Sequence, residues 1–95
     1  ACRRLGTHDL AGCVLVSTAE PCPMCLAAIH WARLSGLVYG AGLACAARFG
    51  FDDAAFQAEL ARPAGERALP SRGGVLAAEC EALFRHWQAR GGRLY

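Results

Sequence analysis

Residues 13–41 read CVLVSTAEPCPMCLAAIHWARLSGLVYGA. Cys13-Val14-Leu15-Val16-Ser17 is a continuous apolar, Val-rich run, which predicts a strand buried on both faces. Thr18-Ala19-Glu20 then leads into Pro21-Cys22-Pro23-Met24-Cys25. From Pro23 to about Leu34 the residues are strong helix formers, and a proline suits a first helical turn. Ser35-Gly36 closes that helix, and Leu37-Val38-Tyr39-Gly40-Ala41 reads as a second short strand. Strand, helix and strand with short links predict two parallel strands joined by a right-handed crossover. One such unit implies an α/β sheet, and two strands are too few for a whole one. The remaining strands are therefore expected ahead of Ala1. Ala1 to Leu5 followed by Gly6 fits that expectation, reading as the last turn of a helix with a glycine cap.

Downstream of the pair of strands, Leu43 to Arg48 reads as a short helix and Gly50-Phe51-Asp52-Asp53 as a break. Ala54 to Ala61 resumes a helix, and Arg62 to Gly74 is a loop rich in Pro and Gly. From Val75 to Arg90 the apolar positions Leu76, Cys80, Leu83, Phe84 and Trp87 fall on one helical face, and Gly91-Gly92 ends it. The chain has 95 residues, 55% hydrophobic and 19% charged, which excludes disorder and fits one small domain. A net charge of +2 is too mild to argue for nucleic acid. No apolar run approaches the roughly 18 residues of a membrane span. The six cysteines are unevenly spaced and no secretory leader precedes them, so a reduced, cytoplasmic setting is expected.

Cys22 and Cys25 carry the sharpest chemistry. Three residues apart at a helix start, their sulfurs share one face and can hold a tetrahedral ion. The positive end of the helix favours both thiolates. Two other readings stand beside the metal one: a thioredoxin-like redox pair, and two plain core cysteines. A structural zinc site would need a second Cys-x-x-Cys or a His pair, and neither is present. The prolines on either side of Cys22 favour the metal.

With that motif inside TAEPCPMCLAAIHWARLSGLVYGA, residues 18–41, the chain resembles the zinc nucleobase and nucleoside deaminases, which carry His-x-Glu and then Pro-Cys-x-x-Cys. Gly50-Phe51-Asp52-Asp53, Pro63-Ala64-Gly65-Glu66-Arg67 and the terminal Tyr95 extend the resemblance to bacterial guanine deaminases, over about Leu5 to Tyr95. It implies a three-layer αβα cytidine deaminase-like fold, truncated at its N-terminus, with residues 1–95 the C-terminal part of one zinc deaminase domain. It also implies Zn2+ as cofactor, with Cys22 and Cys25 as metal ligands. In the family one His completes the ligand set, and a Glu shuttles protons while water displaces the amino group. Guanine would give xanthine and ammonia.

None of His8-Asp9-Leu10, His30-Trp31-Ala32 and His86-Trp87-Gln88 is a His-x-Glu. In the family that motif lies on the preceding helix, whose tail Ala1 to Leu5 resembles. His30 sits five residues after Cys25, about 140° around a helix, and is not expected to replace the missing ligand. Glu20 belongs to the turn before the cysteine helix.

Asp53 has two readings. On residues alone it is an N-cap for the helix starting at Ala54; by resemblance it approaches the substrate and assists proton transfer. Asp52 is read as structural. Tyr95 and Trp31 are substrate-binding candidates, Tyr95 through a C-terminal tail that reaches an active site in the family. The resemblance further implies a homodimer with the tail, about 75–95, exchanged between subunits. The other readings are a tRNA-specific adenosine or cytosine-type deaminase, and a non-catalytic zinc-binding or interaction domain.

Overall fold

The computed structural model describes residues 1–94. The chain separates into two compact units, Ala1–Pro63 and a second beginning at Ala64.

The first unit opens with α1 (Cys2–Leu5), closed by Gly6 in the left-handed conformation at φ 68°. It continues through β1 (Val14–Ala19), α2 (Pro23–Trp31), β2 (Gly36–Ala41), α3 (Leu43–Arg48) and α4 (Ala54–Ala61). β1 and β2 pair in parallel, with Val14 opposite Gly36 and Ala19 opposite Ala41. A parallel pair cannot be joined by a tight turn, and α2 is the crossover. Gly40 marks a close approach between the strands: a Cβ there would lie 3.1 Å from the Thr18 carbonyl oxygen.

Two boundaries differ from the sequence reading. β1 runs on to Ala19, and beyond it the Glu20 N–H donates to the Ala41 carbonyl at 2.8 Å. α2 stops at Trp31 instead of about Leu34. Its end is an αL cap built without glycine: Arg33 takes φ 56°, its N–H donates to the His30 carbonyl at 3.0 Å, and the Leu34 N–H donates to Ile29 at 3.2 Å. The Arg33 guanidinium reaches Asp9 at 3.1 Å, and that ion pair lies across the strained residue.

Asp9 makes a testable contribution. Its carboxylate accepts from the Ala11 N–H at 3.0 Å, and this bond, with the Arg33 charge, holds its pKa below the ordinary 3.8. The folded-state value lies below the unfolded one, so the stabilisation is present above about pH 4 and is lost as the pH falls through the folded value. Asp9→Asn keeps an acceptor for Ala11 but removes the charge. It is expected to melt slightly lower than the parent at pH 7, with the difference vanishing near about pH 2 and shrinking in high salt. An unchanged gap across that pH range in thermal melts would assign the effect to something other than this charge.

In the second unit a 3-10 turn covers Ala64–Glu66 inside the expected loop, and α5 spans Ala77–Ala89. The sequence reading began this helix at Val75 with Leu76 on its apolar face. Leu76 is instead the αL residue before the first turn, at φ 50°. α5 ends as expected at the glycine pair. The Gly91 N–H bonds the Gln88 carbonyl and the Gly92 N–H the Trp87 carbonyl, at 3.1 and 2.9 Å, with Gly91 at φ 75°.

The strand faces are not buried by the described residues. Val14, Val16 and Val38 are 57%, 75% and 55% exposed, and Leu10 is the one buried hydrophobic side chain described. Val14, Val16 and Val38 share one face of the pair, and that face is open, so the double-sided burial expected of the β1 apolar run is not met within the described residues. The described helices are too short and polar for a membrane span.

Candidate functional site

Cys22 is the N-cap of α2, and Pro23 is its first residue. The cap acceptor is the sulfur itself: Cys22 Sγ takes a hydrogen bond from the Cys25 N–H at 3.5 Å. Ser, Thr, Asn or Asp would ordinarily do this with oxygen. The consequence is electrostatic. The Cys25 N–H and thiol, with the Met24 N–H, hold the Cys22 thiol below the usual thiol range, while the nearby Asp53 charge opposes this weakly. Cys25, whose thiol faces the Cys22 sulfur, is pushed up. All six cysteines are free.

The cysteine turn forms one side of a cleft of about 540 Å³, lined among others by Glu20, Cys22, Leu43, Phe51, Asp53 and Phe56. Glu20, Cys22 and Asp53 are half-buried there. The Gly50–Asp53 segment lines it as well, and Gly50 takes φ 90° to turn the chain after α3. The Phe51 N–H donates back to the Ala46 carbonyl at 3.1 Å, which hangs this segment on α3.

The two aspartates divide the roles that sequence reasoning gave to one. Asp53 occupies the N-cap position of α4 but makes no capping bond. Asp52 Oδ1 accepts from the Ala54 N–H instead, at 3.0 Å. The capping reading of Asp53 is thereby corrected, while Asp52 is structural as expected. Asp53 Oδ2 is left buried with no hydrogen-bond partner. A carboxylate oxygen without a partner is costly to hold, and this one belongs to a residue lining the cleft.

The structure brings Cys22 and Asp53 to one cleft. Trp31 does not line it: this residue ends α2 and is 65% exposed. Tyr95 lies outside the described residues. Sequence reasoning missed the roles of Glu20, Leu43, Phe51 and Phe56 as cleft walls. For Glu20 a signal was available: Gly42 precedes α3 without a side chain to cap it, so an acceptor from elsewhere was needed. Phe51 and Phe56 flank the aspartate pair, but their spacing does not distinguish a wall from a core.

The donor set suits zinc in kind, because two cysteine sulfurs from one helical turn are soft ligands at tetrahedral spacing. Among the described residues no cluster of three or more His, Cys, Asp or Glu is placed to hold a metal. Two sulfurs are fewer donors than the three or four protein ligands a zinc ion takes.

Comparison with known proteins agrees. Residues 1–41 match the zinc-binding region of cytidine and deoxycytidylate deaminases. Guanine deaminase of Bacillus subtilis (strain 168) is 47% identical over 70 residues, covering 74% of this chain and 45% of the relative. A tRNA-specific adenosine deaminase of Agrobacterium fabrum is 54% identical over 41 residues, covering 43% of this chain and 27% of the relative. The X-ray structure of guanine deaminase from Bacillus subtilis superposes with a TM-score of 0.84 at 41% identity, covering 93% of this chain and 55% of that one. The chain thus has the fold of the matching part of that cytidine deaminase-like enzyme, and spans about half the length of the guanine deaminase relatives it matches.

Proposed function

We propose, from the match of residues 1–41 to the zinc-binding region of cytidine and deoxycytidylate deaminases, that the chain is part of a zinc-dependent aminohydrolase of a purine base, converting guanine and water to xanthine and ammonia. The observation that carries this reading is the cleft itself. The capped Cys22 sulfur and the unpartnered Asp53 carboxylate line the same space. Guanine is favoured over a tRNA adenosine because the likeness to guanine deaminase extends over 70 residues, against 41 for the tRNA-specific enzyme.

Cys22 and Cys25 would hold the metal through their two sulfurs. When bound, zinc supplies an activated water near neutral pH. The chain's own residues do the rest. Phe51 and Phe56 offer apolar ring faces to a planar base, and both line the cleft. Asp53 assists the proton transfer, in which the water oxygen stays on the base, one water proton goes to the ring nitrogen and the other to the leaving amine, which departs as ammonia; its unsatisfied oxygen suits that role. The protein acts in the cytoplasm as a homodimer, the tail about 75–95 exchanged between subunits.

Ammonia and xanthine are measured after adding guanine to the zinc-loaded protein, with cytosine and tRNA as competing substrates. Steady turnover of guanine, lost on chelation and restored by zinc, is expected. Turnover of tRNA or cytosine alone would overturn the base assignment. Zinc binding without ammonia from any substrate would leave a non-catalytic zinc domain.

A further inference from the structure

Glu20 ties together three elements of the first unit. It follows β1 directly, and its carboxylate lines the cleft two residues before Cys22. Its Oε2 accepts a hydrogen bond from the Leu43 N–H at 3.0 Å, across 23 residues of sequence. That N–H is one of the unsatisfied donors at the start of α3, and the cap residue, Gly42, has no side chain to meet it. The Glu20 N–H adds a tie to β2, donating to the Ala41 carbonyl at 2.8 Å, and the Glu20 charge pushes the Tyr39 hydroxyl of that strand up. From α3 the connection runs on. The Phe51 N–H bonds the Ala46 carbonyl of that helix, and Asp53 follows two residues later.

We propose that Glu20 is a positioning residue that sets the distance between the two sides of the deaminase cleft, acting through α3 on the placement of Asp53. One end of the brace is fixed to the turn that presents Cys22 and the other to the start of α3, from whose Ala46 carbonyl the segment that presents Asp53 hangs. This inference rests on the deaminase reading for its effect on turnover, but not for its effect on the backbone.

The test uses the zinc-loaded protein with Glu20→Ala, Glu20→Gln and Leu43→Pro. Proline removes the donor from the other side of the same bond. It is tolerated at a first helical position, and Gly42 is already extended at φ −79° and ψ 174°, as a residue before proline prefers. Glu20→Ala is expected to speed exchange of the Leu43 amide about 10-fold, as loss of one hydrogen bond would. It should also lower kcat about 10-fold, with KM and zinc content nearly unchanged. Leu43→Pro should lower kcat similarly, whereas Glu20→Gln keeps an oxygen acceptor and should stay within about 3-fold of the parent. In an Asp53→Ala background, Glu20→Ala should cost little more, because groups acting as a unit are not additive.

Unchanged kcat in Glu20→Ala and Leu43→Pro overturns the proposal, as does a full multiplicative loss with Asp53→Ala. Loss of zinc in Glu20→Ala also overturns it, placing the effect on the cysteine turn. If the parent turns over no guanine, the deaminase reading fails by itself. The Leu43 exchange rate still decides the brace: accelerated exchange in Glu20→Ala sustains it and unchanged exchange ends it.

Discussion

Cys22→Ser and Cys25→Ser are each expected to weaken zinc binding by roughly 100- to 1,000-fold and to abolish turnover with it. The size follows from the 10–16 kcal/mol typical of a four-ligand zinc site, which is about 3–4 kcal/mol per ligand. Zinc binds the folded state, so the variants should also melt lower in the presence of metal, by an amount that disappears after chelation. Cys22→Ser carries a second consequence. Serine is itself a good N-cap, so α2 should start normally even where the metal is lost. A variant that keeps stoichiometric zinc, read by elemental analysis, would remove these cysteines from the site. A variant that loses zinc but keeps full turnover would remove zinc from the reaction.

Asp53→Ala is expected to lower kcat by on the order of 100- to 10,000-fold, the usual worth of a positioned acid–base group, with zinc content unchanged. Stability separates this role from a structural one. Asp53 makes no capping bond and carries an unpartnered oxygen, so its removal should leave the denaturation midpoint unchanged or raised. Asp52→Ala should behave in the opposite sense. It loses the bond to the Ala54 N–H, costing roughly 0.5–1 kcal/mol, while changing kcat little. If Asp53→Ala lost stability and kept kcat, the carboxylate would be no more than a cap.

The cysteine helix, both strands and their parallel pairing were legible because each rests on a local pattern. The Val-rich runs, the proline at the helix start and the short links suffice for that. The end of α2 was not legible. Arg33 takes a conformation that normally signals glycine, and Asp9, 24 residues away, lies against it. The site was half legible. Cys22 and Cys25 are readable from their spacing, but the choice between Asp52 and Asp53 depends on which carboxylate turns back to the Ala54 N–H. No one-dimensional pattern distinguishes neighbours of identical chemistry. Glu20 was discounted because its partner, Leu43, is distant in sequence and engages it through backbone alone. Capping of that kind leaves only an indirect trace, the small Gly42.

The register of the two strands has a kinetic consequence. Val14 pairs with Gly36, a separation of 22 residues, and Cys22 and Cys25 both fall inside that loop. Closing a loop of this length costs little more chain entropy than closing one half as long, and a helical crossover shortens it further. The thiol pair is therefore enclosed by the pairing of β1 with β2, which does not need the Gly50–Asp53 side in place. Refolding in zinc should then show metal capture as an early phase and assembly of the aspartate wall as a later one. Through that interval the nascent protein would hold its metal without the means to use it.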